Sequence, residues 1–143
     1  MVNHFYDPVY NKGFKGLRSS KVWVEDTNAQ ARRVIDANFV GEYFRAENDY
    51  SWERAIFDYV YGDKGRAMEA LGHVLHLVQD ATVPDHTRDD AHPVWSTYEN
   101  YSKQYDLGNL NLAQGIIRDG QAPLIYPKLE DYFDNLAKFS NNN

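Results

Sequence analysis

Cysteine is absent from all 143 residues, and that one absence removes a thiolate zinc site, a disulfide framework and a cysteine nucleophile together. Cytosolic and exported proteins can both lack cysteine, so the compartment stays open. Long apolar runs are missing too. None approaches the ~20 residues that span a bilayer, and no signal-peptide pattern precedes Asn3. Basic charge is scarce, with Lys+Arg 15 against Asp+Glu 21 and a net charge of −6. A broad electrostatic grip on duplex nucleic acid needs clustered Lys and Arg and is disfavoured. An enzyme that holds phosphate through metal ions is untouched by that argument, because bound cations supply the positive charge.

What the chain does have is enough apolar and aromatic material for a core: 43% hydrophobic residues, with eleven Tyr, seven Phe and three Trp. No segment alternates with period two over a convincing length, whereas helical spacing recurs. Residues 1–25 read as loop. Asp26-Thr27 caps an expected helix to about Ala46, with Val34, Ile35, Val40, Tyr43 and Phe44 on its buried side. Ser51 caps a second, in which Trp52, Ala55, Ile56, Tyr59 and Val60 form the apolar stripe and Gly62 is the stop. Asp63 opens a third through Ala81, with Ala67, Ala70, Leu71, Val74, Leu75 and Val78 inward. A fourth is expected from Pro93 to about Tyr105, a short one from Leu110 to Ile117 ended by Asp119-Gly120, and a last one from Pro127 with Leu129, Tyr132, Phe133, Leu136 and Ala137 on one face. The expectation is all-α: one compact multi-helix bundle over 1–143, without repeats or an internal boundary.

Four of the five histidines fall between His73 and His92. On the third helix His76 and Asp80 are one turn apart and differ by about 40° in direction. Two ionisable groups on one face are costly as ordinary core unless something pairs them, and a metal ion does that. Gly72, one turn before His76, is expected to let another element approach closely. Pro84 is expected to end the helix and return His86 and His92 on a short loop. On the fourth helix Glu99 lies seven residues after His92, about 20° from eclipsed, so His86, His92 and Glu99 form a candidate second site. His73 reads as a packing or supporting residue. Asp85, Asp89 and Asp90 read as solvated carboxylates or as groups that orient the imidazoles. Arg88 is expected to pair with a neighbouring Asp, with phosphate contact as its alternative. Against the metal stands a plainer reading, in which the histidines are satisfied surface or core residues.

The string His76-x3-Asp80-x3-Pro84-x-His86, preceded by Leu71-Gly72, resembles the bacterial zinc-dependent phospholipase C family and its single-strand nuclease relatives. His4-Phe5-Tyr6-Asp7-Pro8 followed by Asn11-Lys12-Gly13 is similar to the family's His-Phe-Tyr-Asp-Pro segment. Tyr98-Glu99-Asn100-Tyr101 is similar to its Tyr-Glu-Asn-Phe run. The resemblance implies that His4, His76 and Asp80 hold a first zinc, that Asp80 also reaches a third, and that His86 and Glu99 hold a second. Where the phospholipase pattern has a further His this chain has Trp95, and His92 is the substitute within reach. The family's N-terminal metal-binding residues come upstream of His4 and are not present, so the chain is expected to be a piece of a longer protein.

The resemblance further implies phosphodiester hydrolysis, with zinc as cofactor, one or two ions here and one to three in the intact protein. The substrate would be a phospholipid headgroup or a single-stranded nucleic acid. Export to the periplasm, the medium or the cell surface is implied as well, and a monomer is expected. No general base can be named within these residues. Two other readings stand beside the enzyme: a non-catalytic zinc-binding helical domain, and a bundle whose histidines bind nothing.

Overall fold

The computed structural model describes residues 2–26, 49–88, 90, 96–103, 114–115, 118–120 and 122–142. Among them the chain is helical without strands: α1 Ser20–Glu25, α2 Trp52–Tyr61, α3 Lys64–Asp80, α4 Pro84–Thr87, α5 Thr97–Ser102 and α6 Leu129–Asn142, preceded by short 3-10 turns at Val2–His4 and Phe14–Gly16. The all-α expectation holds. Among the described residues no helix is long and apolar enough to cross a membrane.

The central pair is α2 and α3. Ser51 Oγ accepts from the Arg54 backbone N–H at 3.2 Å to cap α2, and an Asp63 carboxylate oxygen accepts from the Arg66 N–H at 2.8 Å to cap α3. Gly62 separates them. A Cβ there would stand 2.5 Å from Asp58 Oδ1, so glycine is needed for the close approach. That Asp58 side chain is only 3% exposed. Arg54 grips it with two N–H···O bonds of 2.7 and 3.0 Å, and Arg66 adds two of 2.9 and 3.1 Å. Because α2 turns Ala55 and Asp58 inward, its expected stripe is displaced: Ile56, Tyr59 and Val60 are exposed. Trp52, Ile56 and Tyr59 instead line an apolar groove with Met68 and Leu71 of α3.

The core lies on the other side of α3. Val74, Leu77 and Ala81 meet Trp23 and Val24 of α1, Phe133 and Ala137 of α6, and Tyr6 from the N-terminal segment. Leu77 takes the inward place expected of Leu75, which is 52% exposed. The first correction is α1 itself, in a stretch expected to be loop. Ser19 caps it, accepting from Val22 N at 3.3 Å, and it buries Trp23 and Val24. Six residues are too few for a 3.6-residue period to show in the sequence. Asp26 is the C-cap of this helix, and the helix expected beyond it to Ala46 lies outside the described residues.

Other boundaries shift. Pro84 does not lead into a loop but occupies the first turn of α4, where its missing N–H is no loss. The helix expected from Pro93 begins at Thr97, since Ser96 is non-helical and accepts the Asn100 N–H at 3.0 Å in capping position. Of the short helix expected over Leu110–Ile117 only Gln114 and Gly115 are described, both helical, and Gly120 turns with φ +73. On α6, Phe133 and Ala137 are fully buried and Leu129 and Leu136 pack beside them, as the sequence indicates.

Two stability predictions follow from this packing. Phe133 has no exposed surface, so Phe133→Ala is expected to destabilise by about 3–5 kcal/mol, read by denaturant unfolding. Asp58 is held below the usual carboxylate range by its hydrogen bonds to Arg54, opposed by burial and assisted by Arg66. A depressed folded-state pKa gives stability that is present above the unfolded value of about 3.9 and lost as pH falls through the folded one. Asp58→Asn should therefore lower the melting temperature at pH 7, with the gap to the parent narrowing below about pH 4. A gap that stays constant with pH would show that the carboxylate charge is not what matters there.

Candidate metal centre

The site is built where the N-terminal segment crosses the end of α3. Backbone hydrogen bonds fix the crossing: Tyr6 N–H donates to His86 O at 3.0 Å, and Ser20 N–H to Phe5 O at 2.9 Å. The turn that follows explains two short sequence patterns. Buried Asp7 accepts from Val9 and Tyr10 N–H at 2.8 and 3.2 Å, and its backbone bridges to Lys12. Asn11 takes φ +52, a left-handed conformation that asparagine tolerates. A Cβ on Gly13 would stand 2.2 Å from the Arg18 carbonyl oxygen, so that position needs glycine. Tyr6 enters the core, and the segment presents His4 to α3.

There His4, His76 and Asp80 each offer one ligand atom, all within 4.8 Å of one another. His4 Nδ1 is 2.8 Å and His76 Nε2 3.4 Å from Asp80 Oδ2, and His86 Nδ1 is 3.3 Å from the other oxygen, Oδ1. Four donors at about 2.1 Å around one tetrahedral ion stand about 3.4 Å apart. The His76 and His86 contacts have that spacing, while His4 is drawn closer. The His4 ring stands edge-on to that of His76, centroids 4.9 Å apart, and 6.0 Å from that of His86.

The Asp80 side chain is 11% exposed, and its Oδ2 is buried without accepting a hydrogen bond of good geometry, despite two imidazole nitrogens beside it. A buried carboxylate needs a positive partner, and either a protonated imidazole or a bound metal ion supplies it here. Burial pushes the Asp80 pKa up, but His4 and His86 outweigh it and hold the group at about 2. It is therefore ionised at neutral pH, the form that binds metal. The residues fit an ion: two or three imidazoles around one buried carboxylate, with no thiolate to narrow the choice.

His86 reaches this cluster from α4, whose Asp85 accepts a hydrogen bond from Ser96 Oγ just before α5. His92 lies outside the described residues, as does the side chain of Glu99, which sits on α5. His73 points elsewhere and stacks on Tyr50, centroids 4.0 Å apart and planes 25° from parallel. A Cβ at Gly72 would meet nothing within 4 Å. Among the described residues, none makes the close approach expected there. The glycine instead borders an open cleft that runs along α3 from His4 and His76 to His73 and Glu69. Arg88 turns its guanidinium onto the Asn141 carbonyl at the end of α6, with Nε at 3.0 and Nη2 at 2.8 Å. The residues missed by sequence reasoning are the supports on α6, Asp134 and Asn141, for which no local pattern gives a signal; Tyr6 falls inside the His4–Pro8 segment, but its bond to Asp134 does not show there.

No family model, curated protein or solved structure matches the chain. A His/His/Asp group close enough to bind a metal ion is what the chain itself presents. Because Asp80 contacts all three imidazoles, Asp80→Ala is expected to abolish uptake at this centre, and His76→Ala to remove at least part of one metal equivalent. Elemental analysis after dialysis against metal-free buffer checks both. Stoichiometry unchanged in both variants would sink the assignment.

Proposed function

We propose that the cluster of His4, His76, Asp80 and His86 binds zinc and that the protein hydrolyses phosphodiesters in the manner of a phospholipase C. The observation that carries the proposal is the buried Asp80 carboxylate with three imidazole nitrogens 2.8–3.4 Å from its oxygens. Nitrogen and carboxylate donors without sulfur suit zinc. When bound, zinc lowers the pKa of a coordinated water and neutralises charge on the phosphoryl oxygens.

The chain's own residues do the rest. Asp80 and His76, one turn apart on a 17-residue helix, give a rigid base for the ion. His76, with its side chain 56% exposed, and His4, at 31%, stand between the buried Asp80 and solvent. The cleft beyond them, bordered by Glu69, Gly72 and His73, leaves room for a substrate beside the ion. A carboxylate on its rim and the net charge of −6 favour a single phosphodiester over a long polyanionic strand. His92 and Glu99 would add ligands for a second ion by their spacing on the sequence, Glu99 also by the resemblance; export follows from the resemblance.

Zinc-loaded chain assayed on a chromogenic phosphodiester, on phosphatidylcholine vesicles and on single-stranded DNA tests the proposal. Hydrolysis of the first two that disappears in Asp80→Ala is the expected result. Cleavage confined to DNA would move the activity to the nuclease relatives. Tight zinc binding without turnover on any of the three would leave a zinc-stabilised domain and refute the enzyme.

A further inference from the structure

Two of the candidate ligands come from segments too short to hold their own shape. His4 ends a three-residue 3-10 turn, and His86 sits in the four-residue α4. An isolated turn of helix is unstable in water, so both depend on what they dock against. The same helix grips both. Near His4, the Tyr6 hydroxyl donates to Asp134 on α6, and Lys21 Nζ donates to the same carboxylate oxygen at 2.7 Å. Near His86, Asn141 of α6 donates its side-chain N–H to the Thr87 carbonyl, while its own carbonyl accepts both Arg88 bonds.

Asp134 and Asn141 are seven residues apart, two turns and about 10.5 Å along the axis, and so lie on nearly the same face. Between and beside them Phe133, Ala137 and Ser140 are buried, which seats that face in the core. The Phe133 ring meets the Tyr6 ring edge-on, centroids 6.4 Å apart. Resting on the metal-centre reading above, we propose that α6 is a brace that sets the metal geometry, gripping the His4 segment through Asp134 and the His86 segment through Asn141. Asp134, Asn141, Tyr6 and Arg88 are then positioning residues: they touch neither ion nor substrate and act by holding two imidazoles against α3.

The test measures cobalt(II) affinity and the visible absorption of the bound ion, whose bands report its coordination geometry. Tyr6→Phe loosens one clasp without removing the ring, and Arg88→Ala loosens the other. Asn135→Ala is the control, an exposed α6 residue whose side chain, among the described residues, bonds to its own helix at Asp131. Loss of an outer support around a metal site weakens binding by about 10–100-fold, so the double variant is expected to bind cobalt at least about tenfold more weakly, with altered bands. The control should match the parent, and Arg88→Lys, which keeps one donor, should recover part of the loss. Melting of the metal-free chain separates geometry from folding. Affinity and spectrum unchanged in the double variant would overturn the brace, as would a loss that merely follows unfolding of the metal-free chain. A parent chain that binds no cobalt or zinc would refute the metal centre first, and the brace with it.

Discussion

The contact on which the arrangement turns is that between the buried Asp80 carboxylate and three imidazoles brought from three places in the chain. An ionised carboxylate at the end of a core helix is tolerated only with compensation, since an uncompensated buried charge costs several kcal/mol. Its neighbours are His76 from its own helix, His4 from the N-terminal segment and His86 from the turn beyond. Each makes sense only if the segment carrying it is fixed, and so the backbone pairing of Tyr6 with His86, the Asp7 turn and the close approach at Gly13 serve the same end.

A second buried carboxylate shows what a purely structural solution looks like. Asp58 is closed off by two guanidinium groups, which carry a permanent charge and donate along fixed directions. Nothing further is needed there, and the α2–α3 junction is complete. Asp80 is surrounded instead by imidazoles, whose ring nitrogens serve either as metal ligands or as hydrogen-bond donors. The two sites differ in what they leave unfinished, and the unfinished one opens onto the cleft.

Much of this was legible in the sequence where the information is local. The caps at Ser51 and Asp63, the inward face of α6 and the one-turn relation of His76 to Asp80 need only nearest neighbours along the chain. Where tertiary context decides, the sequence was a poorer guide. The α2 stripe lost to Asp58, whose polar identity concealed an inward position, and α1 was too short to announce itself. His4 was reached only through a resemblance, because nothing near it in sequence carries its partners. His92 and the Glu99 side chain fall outside the described residues. The Tyr6–Asp134 bond joins residues 128 positions apart, a distance at which no pattern in one sequence carries a signal.

That separation also bears on how the protein comes into being. A chain made from its N-terminus exposes His4 first, then α3, and α6 after both. Contacts between positions so far apart close late, because the entropy of a long loop must be overcome before they form. The nascent chain therefore carries its histidines long before they have a common geometry, and on the proposal above the cluster is competent to hold an ion only once α6 has docked.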